Sequence, residues 1–527
     1  MLFPALLNYN YRYMTTSMLF KIAVILCFFS NQFGMYGQVS ERIIYYSEFG
    51  AVGDGITDDF DAIIKAHDAA NEAGLKVRAD AGASYYIGGA DKAALILTDT
   101  DWVDAKFIID DRNVENRNRY VFNVSSKLTP IRITTVKTLV KNQKKLDLLL
   151  PYNSFIVVTD NTTMRYIREG LNQNNGSAQT DVFVVDKTGN VDMKAPIIWD
   201  YNNITTMTAY PIDPETLTIS GGNFTTIANQ AESQYTYYSR SIGITRSNVV
   251  VDGIYHTITG ELDQGAPYNG FIYISRCTEV TVQNCKLSGH KTYVTIGAAD
   301  APVSMGSYDA RVNSSTNVIF RNCRQINDIH NTKLWGIFAS DYSKNILFDS
   351  VEFSRFDAHM GVANATIKNS VLGHQGINII GTGIFLIENT KVYGTNLINL
   401  RSDYGSTWEG EIIIRNCEYT PRNSAVSDAV LINGSYSGQH DFGYKCYMPE
   451  KILINGLVIN DSNPVNDYRG PKIFAPFNNK YTSEEYKEKY PYEITKEIDI
   501  KNLTIKSGKK YLVSNNQFMF RNVRITE

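Results

Sequence analysis

The side chains best suited to acid–base chemistry fall mostly between positions 340 and 433. If the apolar residues of the strand-like pieces there point inward, period two places a polar set outward. This set comprises Ser340, Asp357, His359, Asn378, Asn399, Arg401 and Asn433, with His374 and Tyr404 close by in sequence and 308–311 bordering the groove one coil earlier. An imidazole changes its charge near neutral pH, and a guanidinium binds a carboxylate through paired hydrogen bonds. The set predicts proton transfer beside an anionic group; the alternative is an asparagine and charge ladder that only stabilises the sheet.

An internal repeat predicts the scaffold that aligns these strands. Apolar strands that end in a polar residue, an asparagine and a small or apolar residue recur along the second half of the chain. Examples lie at 282–285, 320–323, 367–370, 387–390, 414–417, 500–503 and 520–523. The shortest spacing is roughly twenty residues, which is what one solenoid turn of three short strands needs. We therefore expect stacked asparagines at the turns and buried thiols at Cys285, Cys323 and Cys417.

A glycine-rich element precedes the repeat. Phe49-Gly-Ala-Val-Gly-Asp-Gly-Ile-Thr-Asp-Asp59 leads into an amphipathic run, which predicts a helix capped by Thr57 and ended by Gly74. The element resembles the N-terminal cap of the pectate-lyase superfamily of right-handed parallel β-helices, a group with polysaccharide lyases, polygalacturonase-like hydrolases and phage tailspike enzymes. The resemblance implies an all-β, right-handed parallel β-helix solenoid with an N-terminal helical cap. It also implies a secreted bacterial protein that is similar to polysaccharide lyases.

The resemblance further implies a groove on one stacked sheet that an extended polysaccharide follows. Cleavage of a uronic-acid polymer by β-elimination needs a partner for the carboxylate, a base for the C5 proton and an acid for the leaving oxygen. We assign Arg401 to the carboxylate, His359 or His374 to the base and Tyr404 to the acid. The residues expected to bind substrate are Asp357, Asn378, Asn399, Asp403, Trp335 and Trp408. The favoured function is a lyase for a glycosaminoglycan- or pectin-type chain.

Two other functions stay open at this point. A glycoside hydrolase would use two carboxylates such as Asp357 and Asp403, although the paired-aspartate and Gly-His-Gly signatures of polygalacturonase-like hydrolases are not evident. A non-catalytic glycan-binding β-helix would instead stack aromatic rings such as Trp335 and Trp408 on sugars. No cofactor is assigned with certainty. Because calcium prefers carboxylate oxygens, Asp341, Asp357 and Asp403 leave a Ca²⁺-assisted reaction open.

The composition is that of a large globular protein. The chain has 527 residues, is 43% apolar and 20% charged, and carries a formal net charge of −3. These values exclude a disordered chain and a general nucleic-acid binder. The five cysteines after Cys27 are odd in number and widely spaced, which predicts no dense disulfide framework. The expected partner is an anionic polysaccharide, with no nucleic acid, no stable membrane insertion, and a monomer or small homo-oligomer as the assembly.

The chain divides into four predicted parts. Lys21 precedes the apolar run 22–29, a pattern typical of a secretory signal peptide, so the protein is expected to be secreted or periplasmic. A lipid anchor at Cys27 is less favoured because Leu26 is larger than the residue such a site prefers. The parts are a signal peptide at 1–37, an N-terminal cap and first coils at 38–111, an inserted β-rich subdomain at 112–219 and the parallel β-helix at 220–527. The insertion either binds substrate or caps the solenoid.

Overall fold

Short strands make up nearly all of the regular structure. The computed structural model describes residues 42–422 and 426–527, so the predicted signal peptide and Cys27 lie outside the described residues. Within the described ranges there is one α-helix, Phe60–Ala73, and there are two 3-10 helices, Tyr46–Phe49 and Ser402–Tyr404. None of the described helices is long and apolar enough to cross a membrane. Residues 44–527 form one compact unit.

The strands of the solenoid pair in parallel with their equivalents in the next turn. They are Ile43–Tyr45, Asp54–Asp58, Lys76–Arg78, Ser84–Ile87, Ala94–Ile96, Thr100–Asp101, Lys106–Asp110, Phe122–Val124, Leu217–Ser220, Asn223–Ile227, Ile242–Ile244, Val249–Asp252, Tyr255–Thr259, Asn269–Ser275, Thr278–Gln283, Lys286–Leu287, Tyr308–Asn313, Thr316–Arg321, Arg324–Gln325, Phe338–Asp349, Glu352–Lys368, Val371–Ile379, Gly381–Glu388, Lys391–Gly394, Asn396–Leu400, Trp408–Pro421, Val430–Asn433, Lys451–Ile459, Lys472–Phe474, Glu497–Lys501, Thr504–Ile505 and Arg524–Thr526. The predicted all-β parallel solenoid is therefore confirmed.

The asparagine repeat forms one set of turns. The asparagines at 284, 322, 369, 389, 416 and 502 all have a left-handed φ between 48° and 55°. Asparagine adopts this conformation more readily than most L-residues. The side-chain amide of Asn389 donates to Asn369 Oδ1 at 3.3 Å, which continues the ladder from coil to coil. The final predicted step, 520–523, is different: it lies in a turn before the last strand.

The thiols that follow these turns point into the solenoid. Cys285, Cys323 and Cys417 are buried, as predicted, and belong to the same hydrophobic core as the strands before them. Each is a free cysteine. Burial raises the pKa of the Cys417 thiol to about 11. The residue after each asparagine is therefore a packing position.

The glycine-rich element folds differently from its prediction at one point. Thr57 lies at the penultimate position of the strand Asp54–Asp58, and its amide and hydroxyl both donate to Asp54. The residue before the helix is Asp59, so the prediction that Thr57 caps the helix is wrong. The predicted helix itself is confirmed, and Gly74 ends it with a φ of 69°.

An antiparallel subdomain interrupts the early coils. Its four strands are Ile131–Arg132, Ser154–Arg165, Ser177–Val185 and Thr206–Pro211, and it has a hydrophobic core of its own. The strands Phe122–Val124 and Leu217–Ser220 fall inside the predicted insertion 112–219 but pair with solenoid strands. The antiparallel sheet therefore occupies a shorter stretch, 131–211. Two short antiparallel pairs lie farther along: the hairpin Tyr293–Ile296 with Pro302–Met305, and the long-range pair His290–Lys291 with Leu334–Gly336.

Candidate functional site

Successive coils of one solenoid face carry the predicted polar row. Asp357 pairs with Asn378, Asn378 with Asn399, and Asn399 with Asn433, all in parallel register. The side-chain amide of Asn399 donates to Asn378 Oδ1 and that of Asn433 donates to Asn399 Oδ1, each at 2.9 Å. The three asparagines thus form the stabilising ladder that the sequence left as an alternative. Neither Asn378 nor Asn399 lines the cavity that lies farther along this face.

The preceding coil is shifted by one residue from its predicted register. Ser340 pairs with Ala358 and is fully buried, so the prediction that it points outward is wrong. The reason is that Ile337 and Phe338 are both buried, which breaks the strict alternation at the start of the strand. As a consequence Asp341, rather than Ser340, lies beside His359.

A cavity of about 620 Å³, here called the cleft, covers this part of the solenoid face. The solenoid contributes Arg311, Trp335, His359, Arg401 and Tyr404 to its lining, and the insertion contributes Arg168 with Asn172, Gln173, Asn174 and Ser177. Tyr235, Tyr237 and the hairpin region 296–306 close the remaining sides. The site therefore needs residues from both the coils and the inserted subdomain.

The first charged group in the cleft is a relay of Arg311, Asp341 and His359. The Asp341 carboxylate lies 3.0 Å from His359 Nδ1 through one oxygen and accepts from Arg311 Nη2 at 2.7 Å through the other. Burial favours the neutral form of Asp341, but the positive charge of Arg311 outweighs it and holds the pKa of Asp341 below its ordinary value. An ionised Asp341 accepts a hydrogen bond from Nδ1, so Nε2 is the His359 nitrogen without a partner among the described residues. The His359 side chain is 22% exposed and can act as a base.

The second charged group alternates arginines and aspartates. Arg401 donates to Asp357 at 3.1 Å and to Asp403 at 2.8 Å, and Arg168 from the insertion pairs with the same Asp403 oxygen at 2.7 Å. Asp357 also accepts from Arg355 at 2.6 Å and is fully buried. Asp357 therefore positions two arginines, and its full burial leaves it badly placed for the direct contact with substrate that the sequence predicts.

Tyr404 lies at the centre of the cationic side chains. Its ring centroid is 5.4 Å from Arg168 Cζ, 5.7 Å from Arg401 Cζ and 5.6 Å from the His359 ring, which meets it edge-on. Burial raises the pKa of Tyr404 above its ordinary value, so the phenol keeps its proton at neutral pH. The predicted base and acid, His359 and Tyr404, are thus in contact with each other, and Tyr404 also meets two arginines.

The cleft contains hydrogen-bond donors that lack an acceptor. The Nε atoms of Arg168 and Arg401 and the indole Nε1 of Trp335 are buried and have no partner among the described residues. Buried donors without acceptors are rare in folded proteins. Asp341 and Asp357 are at most 1% exposed, whereas the Arg168 side chain is 20% and the Arg401 side chain 12% exposed. Asp403, at 23%, is about as accessible as the two arginines that it pairs with. The exposed edges of the two guanidiniums therefore offer positive charge to an anionic ligand.

Two predicted site residues lie elsewhere. Both ring nitrogens of His374 face backbone carbonyls, Ile329 O at 3.0 Å and Leu334 O at 3.1 Å, and burial lowers its pKa. Trp408 is fully buried, and its indole N–H points at two backbone carbonyls in the coils. Neither lines the cleft, so His374 is not placed to take a substrate proton and Trp408 is not placed to stack on a sugar. Trp335 does line the cleft, with the Arg355 guanidinium 4.6 Å from its ring centroid.

The carboxylates proposed for calcium are engaged by arginines. Asp341, Asp357 and Asp403 each form an ion pair with at least one guanidinium. Across residues 42–422 and 426–527, no cluster of three or more histidines, cysteines, aspartates or glutamates could hold a metal ion. A calcium ion does not fit this set of donors, and we derive no step through one.

Sequence reasoning did not find Arg168. The coil repeat assigns a register to the solenoid residues, but residues inside the insertion follow no repeat, so nothing in the sequence places Arg168 against Arg401. Its position results from the end of the strand Ser154–Arg165, where the chain turns toward the solenoid. The nearest signal in the sequence is the pair of basic residues Arg165 and Arg168 within the insertion.

The comparisons with known proteins identify the fold. No family model matches the chain, and no curated protein matches its sequence. The tailspike of Pseudomonas phage phi297 is similar over 93% of this chain and 84% of its own, with 13% identity and a TM-score of 0.55. The chain has a tailspike-like β-helix fold. Two weaker likenesses follow.

The tailspike of Acinetobacter baumannii bacteriophage AP22, solved in complex with a capsular saccharide, has a TM-score of 0.46 and 11% identity, over 90% of this chain and 73% of its own. A mannuronan C-5 epimerase module of Azotobacter vinelandii has a TM-score of 0.37 and 12% identity, over 89% of this chain and 99% of its own.

Proposed function

We propose that the protein binds an anionic polysaccharide in the cleft and cleaves it by β-elimination beside a uronic acid. The observation that carries this proposal is the contact of Tyr404 with His359, which Asp341 orients, and with two arginines, all in one cavity. Membership of the pectate-lyase superfamily, a right-handed coil, secretion, and a monomeric or small oligomeric state belong to the same proposal. The first three are supported by the glycine-rich motif and the signal-like segment 1–37.

The geometry suggests how the reaction proceeds. Arg168 and Arg401 bind the uronate carboxylate, and Arg401, which Asp357 and Asp403 both hold, stabilises the negative charge that develops when C5 loses its proton. His359 Nε2 takes that proton. The electron pair of the C5–H bond forms the C4–C5 double bond, the bond from C4 to the glycosidic oxygen breaks, and Tyr404 gives its phenolic proton to that oxygen. The products are an unsaturated uronide and a new reducing end.

The carboxylates favour elimination over hydrolysis. A hydrolase needs one carboxylic acid that keeps its proton and one carboxylate that faces the sugar. Asp357 is fully buried and held by arginines. Burial opposes ionisation of Asp403, but Arg401 and Arg168 outweigh it and lower its pKa. Neither aspartate is therefore suited to the role of proton donor, whereas Tyr404 is.

Ultraviolet absorbance of the unsaturated product tests the proposal directly. The purified protein is incubated with uronate polysaccharides of the pectin, alginate and glycosaminoglycan types, each with and without a chelator. We expect absorbance to rise on at least one polymer, without inhibition by the chelator, and to stay flat with His359→Gln. Release of reducing ends without absorbance would instead indicate hydrolysis. Retention on the polymer without either signal would indicate a binding protein.

A matched variant separates the catalytic site from the scaffold. Asn433→Ala removes a member of the ladder on the same solenoid face but outside the cleft. It should keep its activity while His359→Gln loses it. Equal loss in both variants would contradict the assignment of the reaction to the cleft.

A further inference from the structure

A second cavity lies where the inserted subdomain covers the solenoid. It has a volume of about 240 Å³, is here called the junction cavity, and is lined among others by Arg165, Trp199, Lys344 and Tyr444. Tyr166 lines it too, and the Tyr166 ring centroid is 6.1 Å from that of Tyr404 in the cleft. The two cavities are therefore neighbours on either side of a tyrosine wall.

One turn of the insertion supplies an arginine to each cavity. Tyr166 has a φ of 54°, a left-handed conformation that is unusual for a large aromatic residue. The chain reverses there, so that Arg165 lines the junction cavity while Arg168 lines the cleft. The strain at Tyr166 is maintained by packing against the tyrosine rings at 342, 404 and 444.

Arg165 is a partly buried cation without a carboxylate partner. Its Nε donates to the amide oxygen of Gln179 at 2.8 Å, its Nη1 donates to the Gly443 carbonyl, and its guanidinium stacks on Trp199 at 4.6 Å. No carboxylate among the described residues forms an ion pair with it. The fully buried cation of this cavity, Lys344, has such a partner in Asp181 at 2.7 Å. Removing an unpaired guanidinium even partly from water is costly, and burial lowers the pKa of Arg165 accordingly.

We propose that the junction cavity is a second binding site, which takes one sugar-acid unit and pairs its carboxylate with Arg165. The cavity volume equals that of about eight water molecules in the liquid, which is enough for a single sugar ring but not for an oligosaccharide. Trp199 and Tyr444 supply an apolar wall, and the backbone and hydroxyl groups around Thr382 and Thr407 supply polar partners. The inference rests on the proposed function only for the choice of a sugar acid as ligand.

The tryptophans allow each cavity to be observed separately. Trp199 lines the junction cavity and Trp335 lines the cleft, whereas Trp102 and Trp408 are fully buried in the core. Fluorescence of the Trp335→Phe variant therefore reports on the junction cavity, and that of Trp199→Phe reports on the cleft. The probe is free glucuronate, titrated at fixed ionic strength against potassium chloride as the control for bulk salt.

The expected result is a saturable change in Trp199 emission. Adding Arg165→Gln to Trp335→Phe should weaken this binding by about tenfold or more, because a charge-assisted pair is lost. Adding Arg168→Gln to the same background should leave it unchanged, since Arg168 lies in the cleft. No response of Trp199 to glucuronate, or an equal response with and without Arg165, would overturn the inference.

A surface variant covers the case in which Arg165→Gln does not fold. Lys141 lines the same cavity with a side chain that is 39% exposed and pairs with Glu409 at 2.7 Å, so Lys141→Gln removes one positive charge and one exposed ion pair and leaves the core in place. It should also weaken the Trp199-reported binding, and unchanged affinity would overturn the inference. A Trp199 response that persists while the cleft shows neither binding nor turnover would support the second site and refute the proposed function alone.

Discussion

The molecule contains two histidine–aspartate groups, one partly exposed in the cleft and one buried in the core. In the cleft, His359 meets Asp341 through one ring nitrogen and its side chain is partly exposed. In the core, His256 contacts Asp309 at 2.7 Å and Thr226 at 3.0 Å through its two nitrogens, and His290 meets the same aspartate at 3.0 Å. Both core histidines are at most 2% exposed. The same residue types therefore give a base only where one nitrogen is free and faces a cavity.

Removing the imidazole in each group should give the largest contrast. His359→Ala should lower turnover by about a hundredfold or more, as is typical for loss of a general base, and change the unfolding midpoint little. His256→Ala should lower the free energy of unfolding by about 3 kcal/mol, because it leaves Asp309 with a broken buried pair. Kinetics and urea unfolding of both variants measure the two effects. Similar losses of stability in both would show that the cleft pair is structural.

The contribution of the core histidine–aspartate group to stability should also depend on pH. Burial disfavours a charged His290, but Asp309 and Glu261 outweigh it and raise its pKa from 6.5 to about 9. Tyr293 faces the same Glu261 and Tyr268 packs on the His290 ring. Because its pKa is higher in the folded state, the charged His290 contributes its whole stabilisation below pH 6.5. This stabilisation is lost as pH rises through about 9.

The measurement is urea unfolding of the wild type and of His290→Gln across that range. The difference in unfolding free energy between them should shrink as pH rises, by an amount on the order of a few kcal/mol. A difference that stays constant between neutral and alkaline pH would mean that His290 is neutral in the folded protein.

The arginine from the insertion should affect substrate binding more than chemistry. Arg168→Gln removes one of two guanidiniums from the proposed carboxylate site, so KM should rise by about tenfold, with a smaller change in kcat. Arg112→Gln is the matched control, because that exposed arginine pairs with Asp110 far from the cleft lining. Unchanged KM in Arg168→Gln would assign the insertion to capping alone.

The smallest expected effect is at the asparagine ladder. Asn399→Ala removes hydrogen bonds to Asn378 and Asn433, which should cost about 1 kcal/mol of unfolding free energy and leave turnover unchanged. Calorimetry and steady-state kinetics measure the two quantities. A loss of turnover would return Asn399 to the substrate-binding set in which the sequence placed it.

The sequence predicts what repeats. The asparagine turns, the buried thiols and the register that aligns Asp357 with Asn378 and Asn399 all follow from a pattern that recurs in every coil. Such positions obey local rules, since each coil contacts mainly its neighbours. The placement of His359, Arg401 and Tyr404 around one cavity was predictable for that reason.

What the sequence does not predict depends on breaks in the repeat. The one-residue shift that buries Ser340 arises from two successive buried apolar residues, which alternation alone cannot foresee. His374 is taken up by the loop 329–334, whose path is not set by any period. Arg168 reaches the cleft from a separate sheet, so only the packing of the insertion against the coils places it there.

The insertion also imposes an order on folding. A typical ladder contact, Asn389 with Asn369, closes a loop of 20 residues, whereas Thr218 meets Asp99 across 119 residues. Loop-closure entropy grows with the logarithm of length, so this junction costs about 1.6 kcal/mol more to close than a regular coil. The insertion has its own core, and its collapse shortens the effective distance between the two ends. We expect the inserted sheet to fold before the early coils on either side of it pair with each other. The segment that carries Arg168 would then be in place before the coils that it covers are complete.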